Sequence, residues 1–311
     1  MHPALSVIVF TTATGAGYGL LAWLGVFAAG GMLPGNPWFA LAALGIALTL
    51  ITGGLLSSTL HLGRPERAWR AFSQWRSSWL SREGVASLVT YVPAGLFALG
   101  WVAYGHTDGA VAWAGLFAAA CAVATVVTTG MIYASLKPVA QWHTPYTMPG
   151  YVIYALMSGA VLLNALLYAA QRESCAVSWI AFGLVAVGWF WKNLTWHYNE
   201  SLTSSTTLNT ATGLATGEVR SIEWPHSEEN YLLKEMGYRI ARKHAAKLRR
   251  FVHVLAFGVP LAAIEIAILS EGWLAAAAAV LAALAMIPGL LVERWLFFAE
   301  AKHTVTLYYG R

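Results

Sequence analysis

His61 and Glu83 bracket the one strongly charged stretch of an otherwise apolar sequence. HLGRPERAWRAFSQWRSSWLSREG, residues 61–84, holds five of the nineteen Lys and Arg residues. An imidazole titrates near neutral pH and offers a donor or an acceptor at each ring nitrogen, while a carboxylate takes up and releases protons. Set around one pocket mouth, the two suit proton transfer to and from a carbonyl oxygen. Arg64 and Arg67, between them, supply positive charge where negative charge would develop on that oxygen. A plainer reading exists for each residue. Ser81 is a natural N-cap for a helix, which puts Glu83 in the first turn as an acid that offsets the helix dipole, and arginines beside apolar segments bind lipid headgroups.

The elements that must position these residues follow from composition. The chain has 311 residues, of which 58% are hydrophobic and 11% charged, against about 25% charged in an ordinary soluble domain. Apolar stretches of about 20 residues cross a bilayer as helices. Eight can be laid out, at 4–29, 37–61, 84–104, 111–134, 150–170, 176–198, 252–270 and 273–299. The expected fold is an all-α integral membrane protein, a single eight-helix domain over 1–311 with a long loop at 199–251. The first stretch is too long for a signal-peptide core and is read as a retained span. Pro34-Gly35-Asn36-Pro37, the turn at 105–109 and Glu271-Gly272 are short breaker-rich links between antiparallel neighbours. Tryptophans and tyrosines cluster near span ends, at headgroup depth. Cys121 and Cys175 have no CxxC spacing, so no disulfide framework or cysteine-held cluster is expected in this chain.

An even span count puts both termini on one face. That face receives eighteen of the nineteen Lys and Arg residues, and the opposite face keeps only Arg172. The positive-inside rule then places both termini and the 61–84 loop in the cytoplasm. Within the long loop, residues 201–217 read as irregular. A helix capped by Ser227, with Glu228 and Glu229 in its first turn and a basic end through Arg249 and Arg250, leads into the seventh span. Such a helix lies on anionic headgroups or docks a partner subunit. Gly63 can end the second span, and Pro65 can begin a short helix through Arg67, Trp69 and Arg70 along the membrane surface.

In a membrane, a titratable imidazole and a carboxylate at a surface pocket suit a quinone: an apolar slot for ring and tail, a partner for the carbonyl oxygen, and a proton path to water. His61-Leu62-Gly63-Arg64-Pro65 followed by Ser78-Trp79-Leu80-Ser81-Arg82-Glu83, set between spans two and three of eight, resembles the membrane anchor subunit of the dimethyl sulfoxide reductase family (DmsC type). The resemblance covers the whole chain in span layout, and the paired motif is its specific part. It implies an anchor without haem that holds ubiquinone or menaquinone. Its partners would be a four-cluster ferredoxin-like iron–sulfur subunit and a molybdopterin catalytic subunit. His61 and Glu83 would belong to the quinone site, with Arg67 and Arg64 beside them. The motif loop, placed inside by the charge count, is similar to the arrangement in membrane subunits of cytoplasmic sulfite-oxidising molybdoenzymes (SoeC type). The expectation is therefore the anchor of a sulfite:quinone oxidoreductase in a bacterial inner membrane, not itself catalytic for sulfite, with membrane lipids around it and no nucleic acid as a partner.

A menaquinol-oxidising anchor of a terminal reductase stays open, since the same His and Glu serve either electron direction. A secondary transporter is more distant, because it needs repeated halves with broken spans at the midplane. His197, His253 and His303 fall at cytoplasmic span ends and are read as interfacial hydrogen-bonding residues in preference to haem ligands. Glu265, inside span seven, either lines a water path or pairs with Asn164, the pairing being preferred. Glu293 and Arg294 are expected to snorkel or to pair with lipid and neighbouring loops.

Overall fold

The computed structural model describes residues 4–60, 62–202, 206–214, 216–223 and 240–309. Eight helices among them are long and apolar enough to cross a membrane. The first six traverses are α1 (Leu5–Ala29), α2 (Pro37–Thr59), α3 (Trp79–Ala98), α4 (Gly109–Ala134), α5 (Thr147–Ala169) and α6 (Cys175–Ser201). A short helix, α7 (Leu208–Thr212), lies in the long connection. The seventh traverse joins α8 (Ile240–Val252) to α9 (Val259–Leu269) through a π-helical stretch, His253–Gly258, and α10 (Gly272–Ala299) is the eighth.

Local chemistry sets several boundaries. Asn36 caps α2 by accepting a hydrogen bond from the Trp38 amide at 2.8 Å, and Pro37 occupies the first turn, where its missing N–H costs nothing. Thr207 and Thr210 form a reciprocal capping box on α7, so the segment read as irregular contains one helical turn. The basic helix expected to start at Ser227 begins outside the described residues. Its described end, α8, runs into the seventh traverse without a break.

The third traverse corrects the sequence reading. It starts at Trp79 with Ser78 as N-cap, not at residue 84 with Ser81 as cap. The Ser81 hydroxyl donates instead to the Ala71 carbonyl and ties the preceding surface segment to α3. Glu83 thus sits past the first turn, where the reading of it as a dipole-offsetting acid no longer applies. The surface segment, Pro65–Gln74, is a 3₁₀ helix with no buried residue.

α1 and α5 lie at the centre. α1 packs against α2, α4 and α5, α3 packs against α4, and α5 also packs against α6 and α10. Van der Waals contact, not water exclusion, holds helices together in lipid, so small residues mark the closest crossings. A Cβ at Gly19 would overlap the Ala155 carbonyl, and one at Gly159 would overlap the backbone of Gly19. Gly25 meets Gly115 in the same way where α1 crosses α4.

Links at both ends fix the traverses. At the terminal face, the Thr304 amide donates to the Pro138 carbonyl at 2.9 Å and the Lys302 amide to Gln141 Oε1 at 3.1 Å. At the opposite face, the Trp101 indole donates to the Pro34 carbonyl at 3.1 Å. Glu265 is exposed on the outer side of α9, because the buried side is fixed by Ala263, Ile264 and Ala267. Asn164 accepts from Ser178 at 2.8 Å instead, so the preferred Glu265–Asn164 pairing does not form.

Replacing Gly19 or Gly159 by valine forces α1 and α5 apart and is expected to cost at least about 1–3 kcal/mol. Gly45→Ala, at a position with open space around it, serves as the tolerated control. Thermal unfolding in mild detergent, with monodispersity on size exclusion, measures both.

Candidate functional site

Glu83 is only 5% exposed although it lies barely more than one turn into α3. Its side chain points into the bundle, where Thr129 of α4 donates a hydrogen bond to Oε1. Glu83, Ser87 and Thr90 recur at helical spacing along one side of α3, and all three are buried. Facing them, Thr125 shares a hydrogen bond with Thr90 at 3.0 Å. The result is a polar seam between α3 and α4, capped at its terminal end by a carboxyl. The i, i+4, i+7 spacing of Glu83, Ser87 and Thr90, and the i, i+4 spacing of Thr125 and Thr129, were the sequence signals for this seam.

His61 lies outside the described residues. Arg64 and Arg67 are exposed on the surface segment, and the ion-pair partner of Arg67 is its neighbour Glu66 at 3.9 Å. Neither arginine is bonded to Glu83 among the described residues. What reaches α3 from this segment is backbone and aromatic surface. Arg82 donates to the carbonyls of Trp75 and Arg76, at 3.0 and 2.7 Å, and stacks on Trp79 at 4.2 Å. On the outer side of α3 and α4, an apolar cleft of about 340 Å³ opens beneath Trp75 and Arg82, lined also by Val85, Val89, Cys121 and Thr128. Arg82 and Thr128 are the chain neighbours of Glu83 and Thr129, so the cleft lies about 100° around the same helix pair from the carboxyl.

A second cluster corrects the reading of Glu293 and Arg294 as snorkelling charges. They are 1% and 5% exposed, and Lys192 is 3% exposed. Lys192 Nζ lies 2.5 Å from Glu293 Oε1, and Arg294 Nε lies 2.8 Å from Glu293 Oε2. Glu293 stands about 9 Å inside the end of α10 at 1.5 Å per residue, too deep for its short side chain to reach water. The Arg294 guanidinium lies over the Tyr151 ring at 4.2 Å and the Tyr154 ring at 5.2 Å. Toward the surface, Lys192 and Arg249 stack on Trp196 at 4.7 and 5.1 Å, and Arg249 pairs with Glu200 and Glu300. Sequence reading missed this triad because each charge, taken alone, fell near a span end.

The histidines do not converge. His253 Nδ1 accepts from the Trp189 indole at 2.7 Å, His303 Nδ1 accepts from the Val305 amide at 3.0 Å, and His197 is exposed. Among the described residues no three His, Cys, Asp or Glu side chains group as metal ligands.

The triad carries an asymmetry that mutation can read. Glu293→Leu strands two buried cations and is expected to cost on the order of 3–5 kcal/mol. Lys192→Met leaves Glu293 paired with Arg294 and should cost distinctly less. Thermal unfolding of both variants and the double variant in detergent tests the order.

Comparison with known proteins fits this architecture. The chain is 33% identical to a sulfite dehydrogenase subunit of Allochromatium vinosum, over 99% of each chain. It is also 33% identical to the anaerobic dimethyl sulfoxide reductase chain YnfH of Escherichia coli, over 40% of this chain and 44% of that one. The family model described as DMSO reductase anchor subunit (DmsC) matches residues 1–310. With eight apolar traverses and a match from end to end, this multi-pass membrane protein belongs to the DMSO reductase anchor subunit (DmsC) family.

Proposed function

We propose that the chain is the quinone-binding anchor of a molybdopterin and iron–sulfur oxidoreductase that oxidises sulfite, passing electrons between a partner's clusters and membrane quinone. One observation carries the reading: a buried carboxyl, Glu83, is held by Thr129 two residues from Ser81, which ties the exposed, arginine-bearing surface segment to α3. A quinone would supply two-electron, two-proton carrier chemistry there. The residues fit such a group. The cleft under Trp75 and Arg82 is apolar, opens toward lipid, and falls within the roughly 300–1,000 Å³ usual for small-molecule sites. In this reading Glu83 exchanges protons through the seam, His61 donates to the carbonyl oxygen, and Arg64 and Arg67 add positive potential at the mouth.

Sulfite is favoured over dimethyl sulfoxide as the complex's substrate because the sulfite dehydrogenase relative aligns along the whole chain and the dimethyl sulfoxide reductase relative along 40% of it. The lopsided charge supports cytoplasmic termini in a bacterial inner membrane. Lys192 and Arg294 are spent inside the triad, yet every other Lys and Arg except Arg172 still belongs to the terminal face. The exposed arginines of the surface segment and α8 would then meet the iron–sulfur partner and anionic headgroups.

Replacing His61 or Glu83 in the assembled complex is expected to reduce electron exchange with quinone by about 10²-fold or more while sulfite oxidation with an artificial dye persists. Loss of both activities together would count against a local quinone role. A reporter active only in the periplasm, fused at the C-terminus, is expected to stay silent, and a strong signal would remove the cytoplasmic assignment.

A further inference from the structure

A small cavity lies between α1, α5 and α10, with Thr12, Tyr151, Tyr154, Ser158 and Arg294 among its lining. Four of those residues present buried polar atoms with no hydrogen-bond partner among the described residues: Thr12 Oγ1, Tyr151 OH, Tyr154 OH and Arg294 Nη1. Tyr151, Tyr154 and Arg294 are each more than nine-tenths buried. A buried polar group without a partner is costly, more so if charged, so four around one cavity point to an occupant. The space open to water centres is about 20 Å³, where one water needs roughly 10–15 Å³ and two to four polar partners.

We infer that this cavity holds a water molecule bound by Arg294, Tyr151, Tyr154 and Thr12, and that the water is a station on a buried proton path to Glu83. The occupant must accept from the guanidinium and can both accept from and donate to three hydroxyls, which suits water. From the cavity, the Tyr151 ring stacks on Tyr133 with centroids 5.5 Å apart. Tyr133 stands one turn beyond Thr129 on the buried side of α4, and Thr129 donates to Glu83. The tyrosines therefore occupy the interval between the triad and the seam carboxyl. In each transfer an oxygen receives one proton as it passes another on, so no atom keeps a net charge. Arg294 keeps its proton and orients the water. The path rests on the role proposed for Glu83, whereas the water does not.

Two experiments separate these parts. A map of the complex in lipid nanodiscs, at a resolution that reveals ordered water, is expected to contain density within hydrogen-bonding distance of Arg294 Nη1 and the Tyr151 and Tyr154 hydroxyls. A dry cavity whose hydroxyls pair with one another would overturn the site, and so would a halide there, recognised by bromide exchange. Tyr151→Phe with Tyr154→Phe is expected to slow quinone reaction by about tenfold and to raise its solvent deuterium isotope effect, with dye-linked activity as the control for assembly. Thr12→Val, nearly isosteric, should displace the water and move the isotope effect in the same direction if the tyrosine pair fails to fold. Unchanged rate and isotope effect in Thr12→Val, with the water density gone, would refute the path and leave Glu83 standing. An effect of these variants while Glu83→Gln retains full quinone reaction would refute Glu83 as the path's end.

Discussion

An ion removed from water has to be neutralised by its neighbours, and within a lipid-embedded bundle that requirement falls on side chains from other helices. Lys192, Glu293 and Arg294 meet it across α6 and α10, and the two tyrosines of α5 cover the remaining guanidinium face. Three helices are thereby held in register by one buried ion cluster. A helix that slid or turned by one residue here would leave a charge bare.

The other half solves its polar problem without ions. Between α3 and α4 the polar groups are hydroxyls and a single carboxyl, joined by short-range hydrogen bonds from Thr129 and between Thr90 and Thr125. Among the described residues no cation is paired with this carboxyl, which is held by Thr129. The triad's carboxylate lies between two cations. The glycine crossing of α1 on α5 presses the two halves together, and Tyr133 and Tyr151 meet close to that junction.

At the terminal surface, the segment before α3 places Trp69, Phe72 and Trp75 in exposed positions among Arg64, Arg67, Arg70 and Arg76. Guanidinium groups stack on two of these rings, Arg70 on Trp69 and Arg76 on Trp75, both at 5.6 Å. The segment is anchored from below by Ser81 and Arg82 and is otherwise unburied, as befits a surface that meets headgroups or another subunit.

The sequence alone determined the eight traverses, their short turns and the lopsided placement of positive charge. Each depends on a local property: the length of an apolar run, a Gly or Pro at a turn, or the sum of charges in a loop. It also singled out Glu83, because a carboxylate beside an arginine-rich motif is visible without knowing what it faces. Only the tertiary structure decided where Glu83 points, that Lys192, Glu293 and Arg294 meet, and that Glu265 does not reach Asn164. Those outcomes depend on the rotation of each helix about its axis, and in spans that are apolar on all sides the sequence carries little amphipathic signal to fix it. Rotation was set instead by glycine contacts and by a few buried polar groups finding partners far along the chain, and the helical spacing of Glu83, Ser87 and Thr90 is one local trace of it.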